Sequence, residues 1–123
     1  MQVAIEIKGL DKLVKDFNTA PKEVKNELNT AIKFAGVRIQ REAKIEAPVL
    51  TGNLRSQIRF TNRNNGTGVV GSYAKYSIYV HEGTRYQRSN PFMERAIEQS
   101  KPDLDIIFNN AVRNIGRHLA KGR

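Results

Sequence analysis

Apolar positions along this chain switch between a period of two and a period near 3.6, and the switches lay out the elements to expect. From Gln2 to Lys8 the residues alternate, with Val3, Ile5 and Ile7 on one face and Ala4, Glu6 and Lys8 on the other. That is the pattern of a half-buried strand at the edge or end of a sheet. Gly9 closes it, and Leu10, Leu13, Val14 and Phe17 recur at helical spacing up to Asn18-Thr19-Ala20-Pro21, which predicts a short helix. Pro21 suits the first turn of a second helix, capped by Thr19 or Ala20, and nothing interrupts helix until Pro48. Along it Val24, Leu28, Ala31, Ile32, Ala35, Ile39 and Ala43 form one apolar stripe, while Phe34, Val37 and Ile45 form a second row broken by Arg41. A helix lying on a sheet needs one stripe. A second row calls for cover on the other side, from the C-terminal helix or from a neighbouring subunit.

The stretch EAPVLTGNLRSQIRF, residues 46–60, then changes the period abruptly. Proline cannot continue the helix, so Pro48 ends it, and Thr51-Gly52 reverses the chain. Leu54, Ile58 and Phe60 share a parity opposite to Arg55, Gln57 and Arg59, predicting a strand laid back on the long helix with one face buried. The corner Pro48, Thr51, Gly52 and Leu54 is therefore read as fold-determining. Asn65-Gly66 predicts a hairpin, because a primed turn needs positive φ at both central residues, and Val69-Val70 run back as the partner strand to Gly71-Ser72. Tyr73 to Thr84 fits helix or strand, with Tyr73, Tyr76 and Val80 leaning to a short helical piece. Ser89-Asn90-Pro91 reads as a cap and first-turn proline ahead of Phe92, Met93, Ala96 and Ile97. Pro102 reads as the start of a separate last helix with the stripe Leu104, Ile107, Phe108, Ala111, Val112, Ile115 and Leu119. The expected fold is α+β: a small twisted antiparallel sheet packed against one long helix, with additional C-terminal helices. At 123 residues the whole chain, 1–123, has room for a single domain with one core.

Charge adds a rival to this picture. The chain carries +9, and the excess is central: residues 48–95 hold seven basic side chains against two acidic ones. Arg55, Arg59, Arg63, Lys75, Arg85, Arg88 and Arg95 lie mostly on expected strands and loops, forming neither a basic helix nor a dense run. One reading is a small basic nucleic-acid-binding protein using Arg55, Arg59, Arg63, Arg85 and Arg88 on phosphates, whose binding would weaken steeply with salt. The other is a solvated or partner-facing surface. The loops NRNNGTG (62–68) and GTRYQRSN (83–90) are polar and basic, which makes Arg63, Asn64, Arg85, Tyr86 and Arg88 contact candidates, with Phe34, Val37 and Ile45 on the helix.

Catalytic chemistry finds little footing. The absence of cysteine removes disulfides, thiolate nucleophiles and Cys-based metal sites, and favours an intracellular setting. No apolar run reaches the roughly 18 residues of a membrane span, and MQVAIEIKGL lacks the features of a signal peptide, so no membrane partner is expected. GTGVVG, residues 66–71, spells a dinucleotide fingerprint, but it falls on a hairpin turn and a returning strand instead of a strand-to-helix junction. His81 and His118 have no ligand at i+3 or i+4, and Glu82 reads as the partner of a nearby arginine more readily than as half of a carboxylate pair with Glu94. Neither catalytic residue nor cofactor is expected.

Three separated pieces, in this order behind a long charged helix, carry a family likeness. They are APVLTGNLRSQI (47–58), YSIYVHEGT (76–84) and NPFMERAI (90–97). Together they resemble the head-tail joining or tail-completion proteins of tailed phages, the gene-product-ten-like family of lambdoid siphophages, over roughly residues 5 to 110. Ala47, Pro48, Thr51, Gly52 and Leu54 match the first motif, Tyr79, Val80, Glu82, Gly83 and Thr84 the second, and Pro91, Phe92 and Ala96 the third. His81-Glu82 and Met93-Glu94-Arg95 depart from the commoner spellings. The resemblance implies a non-enzymatic virion protein without cofactors, assembled in the host cytoplasm. Its implied partners are other neck or tail proteins, further copies of itself in a ring, and the DNA that passes through the neck.

Overall fold

The computed structural model describes residues 3–8, 17–47, 53–73 and 91–121, apart from the side chains of Val3, Asn53, Leu54, His118, Leu119 and Lys121. The alternating segment Val3–Lys8 forms β1, and a single 3-10 turn, Phe17–Thr19, precedes α1, Lys22–Glu46. A one-turn α2, Asn53–Ser56, leads into β2 (Ile58–Asn62), β3 (Thr67–Ser72) and finally α3 (Phe92–Lys121). Among the described residues the strands make an antiparallel sheet in the order β1-β3-β2, with the alternating first strand at one edge. The chain adopts the expected α+β class.

Register explains which side chains meet α1. Ile5, Val70 and Phe60 stand in one row across the three strands, and Ile58 pairs with Ser72 in the next. Ile58, Val70 and Ile7 are buried on that face, with Ile5 and Phe60 packed beside them. All seven residues of the inner stripe of α1 are buried. The stripe serves two neighbours. Ile32, Ala35, Ile39 and Ala43 join the sheet residues and Phe92, Met93 and Ala96 of α3 in one cluster, whereas Val24 and Leu28 meet Ile115 near the far end of α3, beside Phe17 and Ala20. α3 thus runs antiparallel along α1. Polar contacts mark the seam from end to end: Arg95 Nε donates to Glu46 at 2.9 Å, Arg38 Nε to Asp103 at 2.6 Å, and Asn114 Nδ2 to Glu27 at 3.4 Å.

Gly36 sets how closely the sheet approaches. The Phe60 ring occupies the space a Cβ at Gly36 would need, and a Cβ at Gly68 would lie 2.8 Å from both Phe60 and Ile32. A glycine inside a helix costs roughly 1 kcal/mol relative to alanine. Seating an aromatic ring directly on the α1 backbone offsets that cost.

Five expectations need correction. Pro21 itself is the cap of α1, with φ −56° and ψ 152° and no side-chain cap bond, since its extended ψ leaves neither Thr19 nor Ala20 at the boundary. Leu54 belongs to α2 and not to a strand; the strand starts at Ile58, and Arg55 Nη2 donates to Ala47 O at 3.3 Å, tying the turn back to the end of α1. The hairpin is present, but the residues of positive φ are Asn64 (59°) and Gly66 (84°), not Asn65 and Gly66, because Arg63 pairs with Thr67 and leaves a three-residue loop. α3 passes straight through Pro102. The lost hydrogen bond falls between exposed positions, Pro102 and Glu98, where water can satisfy the carbonyl, and buried anchors on both sides hold the helix together. Val112, expected in the stripe, is 41% exposed.

The helix read from Leu10, Leu13 and Val14, the turn Pro48, Thr51, Gly52, and the segment Tyr76 to Asn90 lie outside the described residues.

Candidate functional site

A step of 100° per residue sorts the surroundings of α1 into three arcs. Ile32, Gly36 and Ile39 point to the sheet; Glu27, Ala31 and Arg38 run along α3. The third arc centres on Val37, with Phe34 and Ile45 at its border with the α3 arc, and these three are 50%, 57% and 61% exposed. Of the two covers the second apolar row calls for, α3 borders the row but leaves each of the three residues at least half exposed. Exposed Lys22, Lys33 and Arg41 and half-buried Lys44 stand around the row, with the acid Glu23 among them. Phe34 also forms one wall of a shallow groove of about 330 Å³ between α1 and α3, floored by Ala31 and Ala111 and edged by Glu27, Asn110 and Asn114. Ile106 on α3, 60% exposed, belongs to no stripe read from the sequence.

Arg38 sits at the boundary of this face without being available to a partner. Hydrogen bonds to Asp103 (2.6 Å) and Glu42 (2.8 Å) hold its guanidinium above the ordinary arginine pKa, so its charge is spent on the α1–α3 seam.

Much of the central basic charge is similarly engaged within the fold. Arg59 Nη2 reaches Gln57 at 3.5 Å while its guanidinium lies 5.5 Å from the centre of the Tyr73 ring. Arg63 pairs with Glu6 at 3.2 Å, Arg95 with Glu46, and Arg55 with the Ala47 carbonyl. Lys75, Arg85, Tyr86 and Arg88 lie outside the described residues, as do Gly83 and Thr84.

The hairpin loop is more firmly built than its composition implies. Asn62 Oδ1 accepts from the Asn64 N–H at 2.9 Å and Asn65 Oδ1 from the Thr67 N–H at 3.1 Å, the short polar turns these side chains favour. Asn29 on α1 then fastens the loop from below: its carboxamide oxygen accepts from the Gly66 N–H at 3.3 Å, and its carbonyl from Asn62 Nδ2 at 3.2 Å. Arg63 and Asn64 remain exposed at the tip. Asn29 and Gly36 went unremarked in the sequence; only Gly36 left a signal there, as an isolated glycine inside a helical pattern.

Among the described residues no three His, Asp or Glu side chains converge as a metal site would require. Gly66 of GTGVVG lies in the hairpin loop and Gly68 and Gly71 lie on β3, so these glycines sit on a returning strand and not on a turn that opens a helix. Pro91 and Phe92 open α3, and Phe92 is fully buried in the main core cluster. No helix among the described residues is long and apolar enough to cross a membrane.

Residues 11–83, more than half of the chain, match the model of the family described as "Bacteriophage HK97-gp10, putative tail-component". No curated protein matches the chain, and no solved structure does.

Proposed function

Because this chain belongs to the HK97-gp10-like family of phage tail components, we propose that it is a non-enzymatic virion subunit acting in head-tail joining or tail completion. The observation that carries the reading is the outer row of α1. Phe34, Val37 and Ile45 stay at least half exposed on a helix whose other apolar stripe is completely buried. Covering apolar surface is worth roughly 25 cal/mol per Å², and the monomer forgoes that gain here. A neighbour in an assembly recovers it.

On this reading residues 1–123 act as one domain, and copies repeat as a ring in the virion after assembling in the host cytoplasm. Arg63 and Asn64 at the hairpin tip, with Arg85, Tyr86 and Arg88, supply a second, polar contact to neck or tail proteins or to DNA passing through. Pro48, Thr51, Gly52 and Leu54, with Gly83 and Thr84, serve geometry.

Deleting the gene from the phage or prophage genome that carries it tests the proposal. DNA-filled heads beside separate or defective tails in negative-stain micrographs are expected. Normal yields of joined, infectious particles would overturn the assembly role.

A further inference from the structure

A second charged stripe lies on α3, across the helix from the residues that pack on α1. Glu94, Glu98, Lys101 and Asp105 recur at spacings of four, three and four, which puts them on one side, and all four are exposed. Ile107, Ala111 and Asn114, which face α1, lie roughly opposite. The outer row of α1 has the matching build: Lys33, Val37, Arg41 and Lys44, spaced four, four and three. Each stripe runs eleven residues from first to last charge, about 16 Å at the helical rise. One carries three cations around an apolar centre; the other carries three carboxylates and one lysine. Among the described residues none of these seven charged side chains takes part in an ion pair.

Resting on the assembly reading above, we infer that the outer face of α1 docks on the acidic face of α3 of a second copy of this chain. Charge decides the pairing. Two α1 faces brought together oppose cations to cations, and two α3 faces oppose carboxylates to carboxylates, arrangements that like-charge repulsion disfavours. Only α1 against α3 is complementary. Because the two stripes lie on different sides of one molecule, each docking leaves a free stripe at both ends, the heterologous contact that closes into a ring or continues as a filament. Phe34 and Ile45 flank the cations and supply the apolar part of the contact.

The chain has no native cysteine, which makes cross-linking clean. Val37→Cys and Lys101→Cys place one thiol at the centre of each stripe. Mixed under mild oxidation at millimolar protein, the two variants are expected to form a mixed disulfide several-fold in excess of either homodimer. Predominant Val37→Cys homodimers, or no cross-link above a urea-denatured control, overturn the inference. Charge reversal gives an independent readout by light scattering. Lys33→Glu/Arg41→Glu/Lys44→Glu and Glu94→Lys/Glu98→Lys/Asp105→Lys are each expected to lose self-association alone and to regain it in an equimolar mixture, where every junction again pairs opposite signs. Reversed chains that associate as the wild type does, or a wild type that stays monomeric, reject the pairing. The gene-deletion phenotype is read separately, so rejecting this interface leaves the assembly role standing on its own test.

Discussion

The inner and outer sides of α1 are both apolar rows on one helix, yet the inner row is wholly buried and the outer row stands in water. Hydrophobicity does not separate them, since Phe34, Val37 and Ile45 are as apolar as Val24, Ile32 and Ile39. Their neighbours do. The sheet and α3 take adjacent arcs of α1, and Ile58, Val70, Phe92, Met93 and Ala96 are all buried in the core cluster with its inner side. In a small subunit, then, the apolar residues of one helix divide between a core that folds the monomer and a face that the monomer leaves open.

That contrast can be attacked from the inside outward. The largest effect is expected at Ile32, 1% exposed between the sheet and α3. Ile32→Asp buries a carboxylate without a partner, which costs several kcal/mol of a total stability of about 5–15 kcal/mol. Circular dichroism should show loss of the cooperative thermal transition; a variant melting near the wild-type midpoint would remove the inner row from the core.

A smaller loss is expected at Gly36, where the helix touches the sheet. Alanine improves helix propensity by roughly 1 kcal/mol, but its Cβ would collide with the Phe60 ring, and overpacking costs about 1–3 kcal/mol. Gly36→Ala should therefore destabilise in urea titrations, and combining it with Phe60→Leu should cost less than the two changes summed. A Gly36→Ala chain more stable than wild type would contradict the close approach. Smaller again, Asn29→Ala removes the acceptor for the Gly66 N–H, about 1 kcal/mol. Faster hydrogen exchange at Gly66, with the α1 amides unchanged, is the expected signature; unchanged exchange at Gly66 would show that the loop holds itself.

Legibility follows the range of the interactions. The inner stripe of α1 and the alternation of β1 could be read residue by residue, because periodicity is local and each position reports its own face. Ile58 and Phe60 were readable for the same reason. Leu54 shares their parity by coincidence, and the Arg55 contact with Ala47 that closes α2 joins residues eight apart. Pro102 looked like a boundary because the anchors that carry α3 past it lie on α1. The hairpin announced itself through Asn65-Gly66, but its loop takes its geometry partly from Asn29, thirty-seven residues before Gly66. For the candidate site the two apolar rows were legible and their fates were not, since which arc α3 covers is decided by tertiary packing. Likewise nothing near Arg63 in the sequence names Glu6 as its partner.

The largest effect on assembly, with little change in stability at any one site, is expected from the variant Phe34→Ser/Val37→Ser/Ile45→Ser. Each site is exposed, so each change should alter folding free energy by no more than about 0.5 kcal/mol. Supplied in trans to a deletion of the gene, the purified-and-folded triple variant is predicted to melt close to the wild type while failing to restore infectious, fully joined particles. Restoration at the wild-type yield would contradict the claim that the outer face of α1 exists for a partner, and an unfolded variant would contradict the division of α1 into a folding side and an assembly side.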